Sequence, residues 1–256
     1  MQKTVLITGS TSGIGLAIAE QFAANGFRVA FQGLGHDGPD IAANIAGRYK
    51  VSHSFSAVNM LDGDGIRVWV ADVHQQWGRI DVLINNAGIQ YIAPIDEFPQ
   101  KKWDEVIGIN LTAPFQLTQA VWPYMKQQNF GRIINIASAH GLVASPLKSA
   151  YVSAKHGLVG LTKTTALEGA SFGITCNAVC PGYVNTPLVE KQITDIAKQT
   201  GQPVDQVARE HFLNKHSIKE FVAAESIGAL CLFLASVEAA SITGATLPID
   251  AGWTAQ

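Results

Sequence analysis

Tyr151 and Lys155 stand four residues apart in a stretch of helical patterning, which puts a phenol and an ammonium on one helix face. A free tyrosine ionises near pH ~10 and is a poor proton shuttle at neutrality, but a neighbouring ammonium favours the phenolate. The spacing predicts a phenol of lowered pKa that exchanges a proton with an alcohol or a carbonyl oxygen. Ser138, just past the apolar run Ile133 to Ile136, can hydrogen-bond that oxygen and fix its position. Tyr-x3-Lys alone is common on exposed helices. Its weight comes from the upstream serine and from Asn85-Asn86-Ala87-Gly88, which closes an earlier apolar run.

A second chemical signal lies near the start. Thr8-Gly9-Ser10-Thr11-Ser12-Gly13-Ile14-Gly15 separates a β-branched run from residues at helical spacing. Glycines there permit a tight turn and let backbone approach a pyrophosphate, whose charge meets the helix amino terminus. The turn predicts a dinucleotide cradle in which Gly9, Thr11, Gly13, Ile14 and Gly15 face the ligand. The second run ends in Phe31-Gln32-Gly33-Leu34-Gly35-His36-Asp37, without an acid at the strand end. Leu34 is expected to wall the adenosine pocket while backbone or Gln32 supplies polar contacts. No arginine or lysine lies between Arg28 and Arg48, so a 2′-phosphate would lack a partner and NAD is expected over NADP.

These groups need a frame. Short apolar runs at Thr4 to Ile7, Arg28 to Gln32, Val51 to Val58, Val82 to Ile84, Ile133 to Ile136, Thr175 to Val179 and Ala245 to Ile249 alternate with amphipathic stretches. Such alternation predicts an α/β fold: a doubly wound parallel sheet of seven strands with helices on both faces. No linker or repeat divides the 256 residues, so residues 1–256 read as a single domain. Asn185 to Phe221 breaks the rhythm with polar residues and a Gly201-Gln202-Pro203 turn. It reads as a lid after a strand's carboxyl end, or else as a surface decoration.

With 47% hydrophobic and 15% charged residues the chain is not a disordered one. A net charge of -2 gives no field to attract nucleic acid or an anionic membrane. Neither a signal peptide nor a spanning helix is evident, which leads to a cytoplasmic expectation. Cys176 and Cys180 lie in an apolar stretch without a His or Cys cluster, so buried thiols are expected rather than a metal site.

Taken together, Thr8-Gly9-x3-Gly13-x-Gly15, Asn85-Asn86-Ala87-Gly88, Asn110, Ser138, Tyr151-x3-Lys155 and Pro181-Gly182 make the chain resemble the short-chain dehydrogenase/reductase family from end to end. The resemblance implies a Rossmann-type fold, Tyr151 as general acid/base and Ser138 as anchor of the substrate oxygen. It implies that Lys155 binds the nicotinamide ribose and that Asn110 holds a water in the proton relay. Asn86, Ala87 and Gly88 would border the cofactor, as would Pro181, Gly182 and Val184, and Thr186 would meet the nicotinamide amide. Asn59 and Met60 stand where the family often has an acid facing adenine; an amide can still hydrogen-bond there. The family also implies a homotetramer, with interfaces on Thr112 to Met125 and Ala150 to Phe172.

Near the reacting residues stand Gln90, His140, Lys148 and, on the 185–221 segment, Gln192. One fixed cation, one titratable ring and two amides suit a small carboxylate. Each has a plain alternative: a solvated lysine, a satisfied loop histidine, an exposed helix glutamine. By resemblance these four hold the carboxylate, Trp253 closes the pocket, and Tyr183 forms its wall where near relatives tend to have Trp. The reading is therefore an NAD-dependent dehydrogenase of a small hydroxy acid. The alternatives are a reductase of a 3-oxoacyl thioester or a sugar, or a non-catalytic dinucleotide sensor.

Overall fold

The runs Val5-Leu6-Ile7 and Val82-Leu83-Ile84 contain no polar residue because both their faces are covered, and that requirement sets the architecture. In the computed structural model, residues 2–255 are described. The strands are β1 (Thr4–Ile7), β2 (Arg28–Gln32), β3 (His53–Ser56), β4 (Val82–Asn85), β5 (Gly131–Ile136), β6 (Ile174–Pro181) and β7 (Thr246–Ile249). All pair in parallel, in the order β3-β2-β1-β4-β5-β6-β7. The chain runs outward from β1 to β3, then restarts at β4 on the other side of β1. A crevice therefore opens at the carboxyl ends of β1 and β4, the place where doubly wound sheets bind ligands.

Helices cover both faces. On one, α1 (Gly13–Ala24), α2 (Gly38–Tyr49) and α9 (Ala224–Leu234) bury Ile18, Phe22, Ile45 and Ile227 against Val5, Ile7 and Ile84. On the other, α3 (Gly63–Trp77) and α5 (Ala113–Gln128) bury Ile66, Trp69, Leu117 and Val121 against Leu6, Leu83 and Ile133. Alternate residues of one strand thus serve opposite cores, as the two-residue period of a strand dictates. Between them, α4 (Gln100–Ile107) runs through a wide π turn at Gly108–Thr112 into α5, and α6 (Ser149–Gly169) lies against β6.

The expected strands form; β7 loses only Ala245, and one strand is cut by half. Val51 to Val58 keeps only His53–Ser56 as strand, because β3 is the sheet's edge, with a partner on one side alone. β5 and β6, flanked on both sides, run longer than the apolar pattern suggested. The 185–221 segment folds as α7 (Pro187–Thr200), a short α8 (Val204–Val207), a π turn (Ala208–Phe212) and a 3-10 turn (Leu213–Lys215). It carries its own small core of Ile193, Ala197, Val207 and Phe212, with Tyr183 packed against it. Its two ends are pinned side by side by a parallel bridge between Val184 and Val222. The three cysteines are buried thiols.

Candidate active site

The glycine turn after β1 is shaped by contacts that exclude a side chain. Gly9 and Gly13 have φ of +62° and +52°, in the left-handed region that favours glycine. A Cβ on Gly15 would come 2.1 Å from the Gly9 carbonyl oxygen. The turn is braced from below. Asn86 Nδ2 donates to the carbonyls of Thr8 (2.9 Å) and Gly9 (3.1 Å), and the Thr8 hydroxyl accepts from the amides of Asn86 and Ala87, both at 3.0 Å. Asn86 is thereby engaged in holding the turn, and Thr8, the residue that opens the glycine signature, is its counterpart.

Gln32 departs from expectation. Its side chain does not face an adenosine pocket: it is 2% exposed, accepts from Gly9 N at 2.8 Å and donates to the Val58 carbonyl at 2.8 Å. It ties the glycine turn to the end of β3. Leu34, 64% exposed, stands free at the edge, and Thr11 abuts Gly33, where a Cβ would meet its hydroxyl at 2.4 Å. Asn59 Oδ1 accepts from Leu61 N at 2.9 Å, whereas the Met60 side chain is buried in a core and leaves only its backbone to a ligand.

At the carboxyl end of the sheet, Ser138 follows β5, and Tyr151 and Lys155 project from successive turns of α6. Lys155 Nζ donates to the Ile136 carbonyl at 2.7 Å and lies 5.6 Å from the centre of the Tyr151 ring. Ser138 hydrogen-bonds to Tyr151, and its hydroxyl accepts from His140 N at 3.1 Å. The expected lowering of the phenol pKa is not a property of the protein alone. Burial pushes Tyr151 up and the Ser138 hydrogen bond only partly offsets it. The same burial brings Lys155 down to about 8.

Asn110 sits in the π turn, fully buried, and its amide is occupied at both ends by the Ile89 peptide: Oδ1 accepts from Ile89 N at 2.9 Å and Nδ2 donates to Ile89 O at 2.8 Å. The amide therefore orients the strand-end loop that carries Gly88 and Gln90. One cavity is lined by Ile14, Asn86, Gly88, Ser138, Tyr151, Lys155, Pro181 and Gly182. Thr186 caps α7 and presses its methyl toward Gly13, 3.1 Å from where a Cβ would lie.

An adjoining cavity of about 120 Å³ brings together Gln90, Ser138, His140, Lys148, Tyr151, Tyr183, Gln192 and Trp253, with Val184 and Thr186 also in its wall. Residues scattered over more than 160 positions thus converge on one small space. Lys148 is delivered by Leu147, whose φ of +66° is strained for a branched side chain, and the Leu147 carbonyl is held by Ala93 N at 3.1 Å. Lys148 Nζ donates to the Tyr183 hydroxyl at 3.4 Å, and the Tyr183 ring stacks on Trp253 at 5.1 Å and 18°. Asp250 anchors the Trp253 loop by accepting from Gly252 N, Thr254 N and Thr254 Oγ1. The Gln90 side-chain nitrogen is buried with no partner.

The electrostatics reverse the expected roles of ring and cation. Burial, with Lys148 and other nearby cations, lowers His140 to about 3, so the ring is neutral and its Nε2 pairs with the Ser145 hydroxyl at 3.0 Å. Burial lowers Lys148 to about 8, so the lysine is the group that titrates near neutrality.

A parallel sheet with a glycine turn at its crevice, beside a Ser-Tyr-Lys set, defines a dehydrogenase/reductase site, and residues 3–197 match the model of the family described as short chain dehydrogenase. The chain belongs to that family and is an oxidoreductase. It is 47% identical over 260 residues to the D-beta-hydroxybutyrate dehydrogenase of Rhizobium meliloti, with 100% of each chain covered. To the D-beta-hydroxybutyrate dehydrogenase of Cupriavidus necator it is 48% identical over 255 residues, covering 99% of this chain and 98% of that one. Among solved structures, an actinorhodin polyketide ketoreductase variant with NADPH superposes with a TM-score of 0.94 at 30% identity, over 100% of this chain and 98% of that chain.

Proposed function

We propose that this oxidoreductase interconverts D-3-hydroxybutyrate and acetoacetate with NAD. The observation that carries the reading is the acid end of the small cavity: a lysine and an unpartnered, buried Gln90 amide nitrogen face one space beside Ser138 and Tyr151. A buried donor left unpaired costs about 1–3 kcal/mol, and a carboxylate accepting from it removes that cost. The names and full-length similarity of the two dehydrogenase relatives support the same substrate.

The glycine turn suits a dinucleotide, since Gly9, Gly13 and Gly15 pack so closely on Ala87, Thr186 and the Gly9 carbonyl that a tight, side-chain-free turn is kept at the amino terminus of α1. When bound there, the nicotinamide supplies the hydride acceptor and, in its oxidised form, a positive charge. Pro181, Gly182, Val184 and Thr186 would border its reacting end, and Lys155 would hold its ribose. NAD is favoured over NADP because no cation lies between Arg28 and Arg48, while Arg28 donates to the Trp77 carbonyl and Arg48 pairs with Glu20.

Ser138 holds the substrate oxygen, and the Tyr151 phenolate takes the hydroxyl proton. Lys148, Gln90 and Gln192 hold the carboxylate, His140 supports it as a neutral ring, and Tyr183 and Trp253 form the wall. Asn110 commits its side-chain amide to Ile89 and so fixes the loop beside the proposed water relay. The 185–221 segment closes over the acid and excludes water. The protein assembles as a homotetramer, its α5 and α6 faces supplying an apolar groove that includes Phe115, Trp122 and Leu161. It works in the cytoplasm, in line with the lack of a membrane-crossing helix among the described residues.

The test is NADH formation with a panel of hydroxy acids: D-3-hydroxybutyrate should give the highest kcat/KM with NAD. Faster turnover of a sugar or a 3-hydroxyacyl thioester, or a preference for NADP, would overturn the assignment.

A further inference from the structure

His216 lines no cavity wall described above, yet three pieces of the site meet on its ring. It is fully buried. Its Nε2 lies 3.0 Å from the Tyr183 amide nitrogen. An amide N–H only donates, so Nε2 carries the lone pair and the ring proton sits on Nδ1, which faces the Glu220 carbonyl at 2.8 Å. The imidazole is a strut of fixed tautomer between Tyr183, where the chain leaves β6, and Glu220, where it returns from the 185–221 segment.

The packing is as constrained as the hydrogen bonding. A Cβ on Gly182 would come 2.6 Å from His216 Nε2, so the β6 exit is seated on the ring edge. The Tyr183 and Trp253 rings have centroids 5.8 and 6.1 Å from the imidazole. The next residues, Ser217 and Ile218, donate their amides to the Ala251 carbonyl at 2.8 and 3.0 Å, which ties the Trp253 loop to the same junction.

We infer that His216 is a positioning residue for the acid end of the cavity: it fixes the Tyr183 backbone and, through Tyr183, the Lys148 ammonium and the Trp253 indole. The inference rests on the carboxylate reading given above. His216 exchanges no proton with substrate, since both its nitrogens are committed to backbone.

The experiment measures binding without turnover. Acetate, a carboxylate that cannot be oxidised here, is titrated calorimetrically into enzyme saturated with NAD, for wild type, His216→Phe, His216→Asn and His216→Gln. Phe fills the space without hydrogen bonds, Asn is too short to reach both partners, and Gln keeps a donor and an acceptor at greater reach. Acetate affinity should fall at least tenfold in the Phe and Asn variants and stay within about threefold of wild type in the Gln variant. NAD affinity should change less than twofold throughout, and kcat for 3-hydroxybutyrate less than threefold while its KM rises. If the Phe variant does not fold, the Asn and Gln pair carries the comparison. Unchanged acetate affinity in the Asn variant, a Gln variant as weak as Asn, or a parallel loss of NAD affinity would each overturn the role. Failure of wild type to bind acetate would instead remove the carboxylate reading, and this inference with it.

Discussion

Lys155 directs its ammonium at the Ile136 carbonyl, 2.7 Å away, and holds it 5.6 Å from the centre of the Tyr151 ring. The lysine is thus locked in place by the strand, beside the phenol ring. Since burial raises the Tyr151 pKa, the proposed general-base role requires the ammonium and the oxidised cofactor together to offset it. Tyr151→Phe removes the proton-transfer oxygen and little else. Turnover should fall about a thousandfold, within the usual range for loss of a general acid/base. NAD affinity, read by fluorescence titration, should stay within about threefold. Retention of most of the turnover would sink the role.

Lys148 should impose an alkaline limit on acid substrates alone. Its pKa is brought to about 8 by burial, so the ammonium is present below that value and lost above it. In kcat/KM profiles, which report free-enzyme groups, D-3-hydroxybutyrate should therefore lose efficiency as pH rises through about 8. A neutral secondary alcohol keeps only the limb due to Lys155, which also lies near 8. Lys148→Ala should cost the acid about 2 kcal/mol, roughly thirtyfold in kcat/KM. The alcohol should change less than threefold, and equal losses for both would remove Lys148 from the carboxylate site.

His140 makes the folded state sensitive to acid. Its pKa is about 3 in the fold and about 6.5 when unfolded, so between those values the unfolded chain binds the extra proton. Its contribution to stability is intact above pH ~6.5 and declines as pH falls, by up to about 1.4 kcal/mol per pH unit. Denaturant unfolding from pH 7 to 5 should show this slope, and His140→Gln should flatten it. An equally steep variant would show that other groups set the acid limb.

Gly15 tests the cradle. Alanine there places a methyl carbon 2.1 Å from the Gly9 carbonyl oxygen, an overpacking worth about 1–3 kcal/mol. The melting temperature should fall by several degrees and NAD affinity by more than tenfold, whereas unchanged melting and binding would mean that the turn yields without strain.

Features resting on near neighbours along the chain were readable from residues alone. The glycine turn, the Tyr-x3-Lys pair and the apolar runs announce themselves within a few positions, and the sheet follows from their alternation. Gln32 and His216 could not be read that way. Gln32 joins Gly9 to Val58, 23 and 26 residues distant, and His216 joins Tyr183 to Glu220 across the 185–221 segment. An isolated Gln or His carries no local mark of such a bridge. The exchanged roles of His140 and Lys148 escaped for a related reason: each residue type suggests its ordinary pKa, while desolvation depends on the tertiary packing that surrounds it.

The miniature core formed by Ile193, Ala197, Val207 and Phe212 stands apart from the two large cores, and Tyr183 leans on it. On the proposed reading, the part of the acid cavity's wall that Tyr183 and Val189 supply rests on a module that can be remodelled piecemeal. On that reading, changes at Phe212, Val189 or Tyr183 alter which acid fits, while the glycine turn at the crevice, held by Thr8, Gln32 and Asn86, keeps its shape. A scaffold divided in this way lets a lineage acquire new acids without first relearning how to grip its coenzyme.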